Sequence, residues 1–233
     1  MSTSGAPLIS LRDVTKTFPH DPAAVIALDG IHLDVQPGSF VGLVGPAGAG
    51  KSTLLQLLEG VEAPTSGQLS IAGHDLSDAS PRTRSSVGRR LVASVAHHLF
   101  PHLTAWENVR FAAGTTEVGD AAIRADRALS AVGLSRHGRE VPERLTEAQR
   151  RRLAIARAIA TGNPVIVADE PAVGLDDHER HHIVGLLASH ARRGATVLMA
   201  CRDDSVDALA SVADRVIALS DGRIVADEAR GAR

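Results

Sequence analysis

Apolar and polar positions divide this chain into three parts. "LISLRDV" (Leu8–Val14) and "IHLDV" (Ile31–Val35) alternate, which is the period of a half-buried strand. "FVGLV" (Phe40–Val44) is a continuous apolar run and predicts a short buried strand. It leads through "GPAGAG" into the helical stretch "KSTLLQLLEG", and "PTSGQLSIAG" then reads as a turn followed by a strand. From Thr104 to Ala160 the period becomes helical. In "AAIRADRALSAVGL" the apolar Ala122, Ile123, Leu129 and Val132 fall at helical spacing, and Gly133 ends the run. Residues 97–160 are therefore the expected helical lobe. After them "PVIVAD", "ATVLMAC" and "RVIALSDGRIV" alternate with the helical "DHERHHIVGLLASHA" and "DSVDALASVA". Strands alternating with helices predict an α/β fold with a mainly parallel sheet. The N-terminal strands predict a separate antiparallel β-subdomain. One domain over residues 1–233 accommodates all of it.

Composition narrows the class. Hydrophobic residues make up 44% of the 233, enough for a packed core. The net charge of -2 offers no electrostatic case for nucleic acid. A single cysteine, Cys201, excludes an intrachain disulfide and points to a reducing compartment and a buried strand position. The opening "MSTSGAPLIS" lacks the pattern of a secretory signal. No apolar run approaches the roughly 18 residues of a membrane span, so a membrane role has to come through a partner.

The chemistry begins at "GPAGAGKST" (Gly45–Thr53), which fits G-x-x-x-x-G-K-[ST] between a predicted strand and a predicted helix. Gly45, Gly48 and Gly50 let backbone N–H groups close around phosphates, and the helix start favours an anion. Lys51 is expected to reach the β- and γ-phosphates, and Ser52, beside Thr53, to bind Mg²⁺. A chance glycine-rich turn does not account for motif and context together. The apolar strand of "VIVADEP" (Val165–Pro171) ends in Asp169, a second candidate for the Mg²⁺ shell, with Glu170 beside it to polarise water.

With these motifs the chain resembles the nucleotide-binding subunit of ABC transporters over nearly its full length. The likeness is greatest to subunits of macrolide-exporter, lipoprotein-release and FtsE-type systems. "LLQLLEGVEAPTSGQLSIAGHDL", "HHLFPHLTAWENV" and "DRVIALSDGRIV" carry it. The resemblance implies a P-loop NTPase core binding ATP and Mg. It implies an integral-membrane permease as partner, pairing with itself or a second ATP-binding subunit, and a peripheral place on the cytoplasmic face of the membrane. "AVGLDD" resembles the D-loop, with Asp176 as its aspartate. Phe18 lies where the family has an aromatic that stacks on adenine, and it also reads as an ordinary core residue at a strand end.

Three family features differ. The signature "LSGGQ" is "LTEAQ" (Leu145–Gln149), with Thr146, Glu147 and Ala148 at its centre. In the family this helix start closes on the γ-phosphate held by the opposite subunit, and its glycines allow the approach. Glu147 brings a carboxylate there. At ~4 Å and an effective dielectric near 20, unit like charges repel by about 4 kcal/mol, against a helix-dipole gain of about 0.3–1 kcal/mol. Thr146 and Gln149 keep the spacing of a capping box, so a helix start survives without the phosphate cradle. The Q-loop glutamine is absent: its place falls at Val95 or Ala96, and no Gln occurs between Gln68 and Gln149. The switch histidine is absent as well. Arg202 takes its place, and no His follows His190. Arg202 has two readings, a clamp on the γ-phosphate or a partner for Glu170. Arginine stays charged and only donates, whereas neutral histidine donates and accepts.

Arg150, Arg151 and Arg152 read as a solvated basic face. His178, His181 and His182 share a helix and read as an exposed polar face, with metal binding the lesser alternative. His97 and His98 are assigned to the loop near the membrane-partner groove. The expected function is an ATP-binding transporter subunit with weak or impaired hydrolysis. The alternative is a pseudo-ATPase, a structural or regulatory subunit for which nucleotide is a ligand.

Overall fold

The computed structural model describes residues 5–20, 23–95, 98–116, 119–202 and 206–229. Two sheets organise them. The first is antiparallel and N-terminal: β1 (Ile9–Phe18), β2 (Val25–Val35), β4 (Ser66–Ile71) and β5 (His74–Asp75), in the order β2-β1-β4-β5. The second has the order β10-β9-β3-β8-β7-β6. It consists of β3 (Phe40–Val44), β6 (Val92–Ser94), β7 (Val165–Asp169), β8 (Thr196–Cys201), β9 (Arg215–Ser220) and β10 (Arg223–Ala229). All its pairings are parallel except β9 with β10.

The central strands are apolar throughout because both faces are covered. Val197, Met199 and Cys201 of β8 face one core, and Leu198 and Ala200 face the other. β7 alternates likewise, with Ile166 and Ala168 opposite Val165 and Val167. One core is shared with the antiparallel sheet and with Leu54, Leu55, Leu57 and Leu58 of α1 (Lys51–Leu58). The other is shared with α3 (Ala105–Ala113), α4 (Ala121–Ala131), α5 (Glu147–Thr161) and α6 (Asp177–Ala191). Burying a leucine side chain contributes roughly 1.5–3 kcal/mol, so α1 is anchored firmly beneath its own N-terminus.

α3 and α4 lie within the segment expected to be helical, and α5 runs one residue past its end, to Thr161. Arg124 of α4 joins them by donating to the carbonyls of Ala113, Ala160 and Thr161, which end α3 and α5. Those carbonyls have no partner within their own helices. Other elements differ from expectation. β1 and β2 are longer than their alternating stretches, because the register shifts between Leu11 and Val14, where Asp13 takes a φ of 52°. The helix α2 (Pro81–Leu91) was not anticipated from its polar sequence; Ser80 caps it by accepting from the Thr83 N–H. "RVIALSDGRIV" is an antiparallel hairpin. Asp221 and Gly222 both have positive φ, 49° and 74°, which is the two-residue turn that matches strand twist. The short α7 (Val206–Ala210) precedes it.

Candidate nucleotide site

The parallel strands bring their carboxyl ends to one edge. Val44 is in register with Cys201, and Ala200 with Asp169. The residues that follow, Gly45, Arg202 and Glu170, therefore share the edge where open α/β sheets bind ligands. Gly45 to Gly50 turn from β3 into α1. Gly50 is the N-cap at φ 101°, and a Cβ there would sit 2.4 Å from the Ala27 carbonyl oxygen. Gly48 has a φ of 82° and open space where a side chain would be. Packing thus requires glycine at the first position, and backbone conformation requires it at the second.

Lys51 is only 5% exposed. Its ammonium donates to the carbonyl oxygens of Gly45 at 2.5 Å and Pro46 at 2.9 Å. A cation is thereby held across the loop at the head of a helix whose first turn has no acidic residue. The adjoining cleft has a volume of about 330 Å³, and Gly48, Lys51, Ser52, Thr53 and Glu170 line it. Backbone N–H groups, an ammonium and a hydroxyl form a donor set suited to a polyphosphate and to a hard cation bound with it. Val25 and Ile26, 50% and 55% exposed, give the cleft an apolar wall. Phe18 is opposite Val25 in the β1–β2 pairing and does not line the cleft. Its ring lies 4.7 Å beneath the Lys16 ammonium. Sequence reasoning missed Val25 and Ile26; the available signal was a β-branched pair just before the strand "IHLDV".

Asp169 ends β7, half-buried. Glu170 takes left-handed backbone at φ 46°, held by its N–H to Ala200 O at 2.9 Å and its carbonyl to Val173 N–H at 3.2 Å. Such a conformation costs about 1–3 kcal/mol and persists where its surroundings enforce it. Arg202 Nε donates to both carboxylate oxygens of Glu170, at 3.0 and 3.1 Å. Of the two readings of Arg202, the structure shows the pairing with Glu170. Val95 is 4% exposed in the apolar core, its N–H bonded to Val167 O at 2.8 Å. Its side chain offers nothing polar, and it is one of the two positions at which the resemblance leads us to expect the family glutamine. Ala96 and His97 lie outside the described residues.

At the head of α5 the capping box forms as the spacing predicts. Thr146 Oγ1 accepts from the Gln149 N–H at 3.2 Å, and Gln149 Oε1 accepts from the Thr146 N–H at 2.8 Å. The neighbouring charges correct two expectations. Glu147 does not project freely; its carboxylate is held by Arg150 Nη2 at 2.8 Å and Arg151 Nε at 2.8 Å. The Arg150 hydrogen bond is the main reason its carboxyl lies below the usual carboxylate range. Arg150 and Arg151 are accordingly engaged rather than simply solvated: Arg150, 38% exposed, also donates to Leu145 O at 2.6 Å, and the Arg151 side chain is 15% exposed. Residues three and four apart on a helix are neighbours, which brings both cations to the acid. Ala148 is half-buried. Asp176 caps α6 by accepting from the Glu179 N–H at 2.9 Å. Among the described residues no cluster of three or more metal-ligating side chains forms, the α6 histidines included. Cys201 is buried at the end of β8. Glu59, which sequence reasoning passed over, is half-buried; desolvation raises its carboxyl pKa, Ser94 opposes this, and Asp169 adds to it.

A protein-family profile described as ABC transporter matches residues 28–173, a span that includes the P-loop, "LTEAQ" and the β7 carboxylates. The chain belongs to the ABC transporter family. It is 36% identical over 228 residues to the macrolide export ATP-binding/permease protein MacB of Marinobacter nauticus, covering 96% of this chain and 35% of that protein. It is 35% identical over 223 residues to the lipoprotein-releasing system ATP-binding protein LolD of Pseudomonas fluorescens, covering 94% and 97%. The chain thus spans about a third of the MacB relatives and nearly all of LolD. Among solved structures, the dimeric post-hydrolysis state of the ATP-binding cassette MJ0796 bound to ADP and Pi aligns with a TM-score of 0.85. Its identity is 31%, and the alignment covers 96% of this chain and 100% of that one. The family's α/β P-loop fold is the fold described above. No helix among the described residues is long and apolar enough to cross a membrane.

Proposed function

We propose that this ABC family member is a single ATP-binding domain, residues 1–233, working beneath an integral-membrane permease at the cytoplasmic face, with weak ATP hydrolysis. It pairs there with a second copy or another ATP-binding subunit. Gly45, Gly48 and Gly50 cradle the phosphates, Lys51 exchanges its loop carbonyls for phosphate oxygens, and Ser52, Thr53 and Asp169 serve phosphate and Mg²⁺. When bound, MgATP supplies the phosphoanhydride whose terminal group is lost to water. Glu170 is the residue to take the proton from that water.

The contact in the structure that supports weak hydrolysis is the Glu170–Arg202 pair, a minor part of the proposed deficit. Its side chains are 25% and 55% exposed, and such pairs are worth about 0.2–1 kcal/mol. This slows a base without silencing it. The larger deficit comes from Arg202, and Val95 or Ala96, standing where the family resemblance puts the histidine and glutamine that would order the water. Loss of one positioned donor costs ~2.7–4 kcal/mol. The sum favours slow turnover. The alternative, a pseudo-ATPase, draws on the apolar burial of Val95. Steady-state phosphate release by the chain assembled with its permease separates the two. Turnover of roughly 1–100 s⁻¹ contradicts both readings; slow turnover abolished by Glu170→Gln supports the first, and none above background supports the second.

A further inference from the structure

A polar relay runs to the head of α5 from the short turn Ser135–His137. Glu140 Oε1 lies 3.0 Å from His137 Nδ1, and His137 Nε2 lies 3.1 Å from Gln149 Nε2. Gln149 Oε1 in turn accepts from the Thr146 N–H, closing the capping box. The roles along the relay follow by elimination. An ionised carboxylate only accepts, so His137 Nδ1 carries hydrogen. An amide nitrogen only donates, so His137 Nε2 presents its lone pair. Both assignments describe a neutral ring. Nothing in the phosphate cleft uses this relay.

We propose that His137 is a positioning residue: its neutral ring sets the Gln149 amide, and through it the head of α5, while protonation releases both. This rests on the reading that the head of α5 faces nucleotide held by a paired subunit. A protonated ring has hydrogen on both nitrogens, so Nε2–H opposes the Gln149 NH₂ group. Turning that amide would satisfy the ring but set NH₂ against the Thr146 N–H and open the cap. In the neutral state Thr146 Oγ1 is occupied as an acceptor by the Gln149 N–H, which leaves its hydroxyl hydrogen to point elsewhere. Thr146 is exposed, and that hydroxyl is what the segment offers to a facing phosphate.

Asp126, Glu107 and Arg150 on the surrounding elements are engaged with other partners, and Arg152, Arg136 and Arg139 are the further charges there. Asp126 of α4 accepts from Trp106 Nε1, and Glu107 of α3 accepts from Thr104. On α5, Arg150 holds Glu147 and the Leu145 carbonyl, and Arg152 lies near Gly133. Arg136 and Arg139 flank a separate open cleft with Trp106. Glu140 is the charged side chain bonded to the ring.

The test is a nuclear magnetic resonance titration of the full chain without nucleotide. The backbone amides of Thr146 and Gln149 and the Gln149 side-chain amide are followed from about pH 8 to about pH 5, where histidine changes charge. In the wild type the three signals move together in one transition. In His137→Gln they stay still, while the other histidine signals behave as in the wild type. Still signals in the wild type, or motion that survives His137→Gln, overturn the proposal. Phosphate release by the assembled complex at the two pH extremes tests the reading beneath it. A wild-type loss of rate on acidification that His137→Gln reduces several-fold supports both. Coupled amides with identical rate losses in the two chains uphold the relay and count against α5 facing nucleotide.

Discussion

Arg202 Nε lies 3.0 Å from one carboxylate oxygen of Glu170 and 3.1 Å from the other. A single N–H therefore bridges both oxygens of a residue whose backbone is already left-handed at φ 46°. The cleft and a small cavity of about 40 Å³ meet at this pair, for Glu170 lines both and Arg202 lines the cavity. The consequence for catalysis can be measured by removing the guanidinium. Arg202→Ala is expected to change phosphate release by less than about fivefold, the scale of an exposed ion pair. A larger gain would make the pair, rather than the absent histidine and glutamine, the main brake.

Restoring the family residues together should do more. A chain with Glu147→Gly, Ala148→Gly and Arg202→His, with glutamine placed at Val95 or separately at Ala96, is expected to release phosphate at least about tenfold faster with its permease. Each change alone should do little, because groups that act as a unit are strongly non-additive. If the combined chain is no faster, the three departures do not explain slow turnover.

ATP affinity should depend on Lys51. Its buried ammonium is placed at the loop, and charge-assisted hydrogen bonds contribute about 1.5–3 kcal/mol. Lys51→Ala should therefore weaken binding of labelled ATP by roughly 10- to 150-fold. Equal binding by the two chains would remove the basis for assigning the cleft to nucleotide.

The head of α5 makes a prediction about pairing. Although Arg150 and Arg151 hold Glu147, Ala148 carries a Cβ at a position where the family resemblance leads us to expect glycine. The Glu170→Gln chain with MgATP should remain monomeric by light scattering. Adding Glu147→Gly and Ala148→Gly should produce a dimer. A stable dimer without those two changes would show that "LTEAQ" closes a site as it stands.

Glu59 gives a pH dependence. Burial raises its folded carboxyl above the unfolded value, so the ionised form costs stability above the folded pKa, and the cost disappears as pH falls through it. Glu59→Gln should raise the melting temperature at neutral and alkaline pH, and the advantage should shrink on acidification. For a chain of this size each kcal/mol appears as about 2–4 °C. An advantage that grows toward acid would reverse the sign argued here.

The sequence alone determined the P-loop, the strand leading into it and the Thr146–Gln149 cap. Each is local: a glycine spacing, an apolar run, two residues one helical turn apart. The Glu147 pairing with Arg150 and Arg151 was equally local and legible from spacings of three and four, yet a run of arginines reads more readily as solvated. The tertiary structure decided the rest. Arg202 meets Glu170 across 32 residues because β7 and β8 are adjacent and end together, and strand order is not written in either strand. Val25 and Ile26 form the cleft wall because β2 passes beside the P-loop, where Gly50 lies against the Ala27 carbonyl, and periodicity does not record that long-range approach. α2 is polar enough to resemble a loop and is helical because Ser80 caps it and Val87 finds the core. Long-range packing chose among local possibilities that the chain by itself left equal.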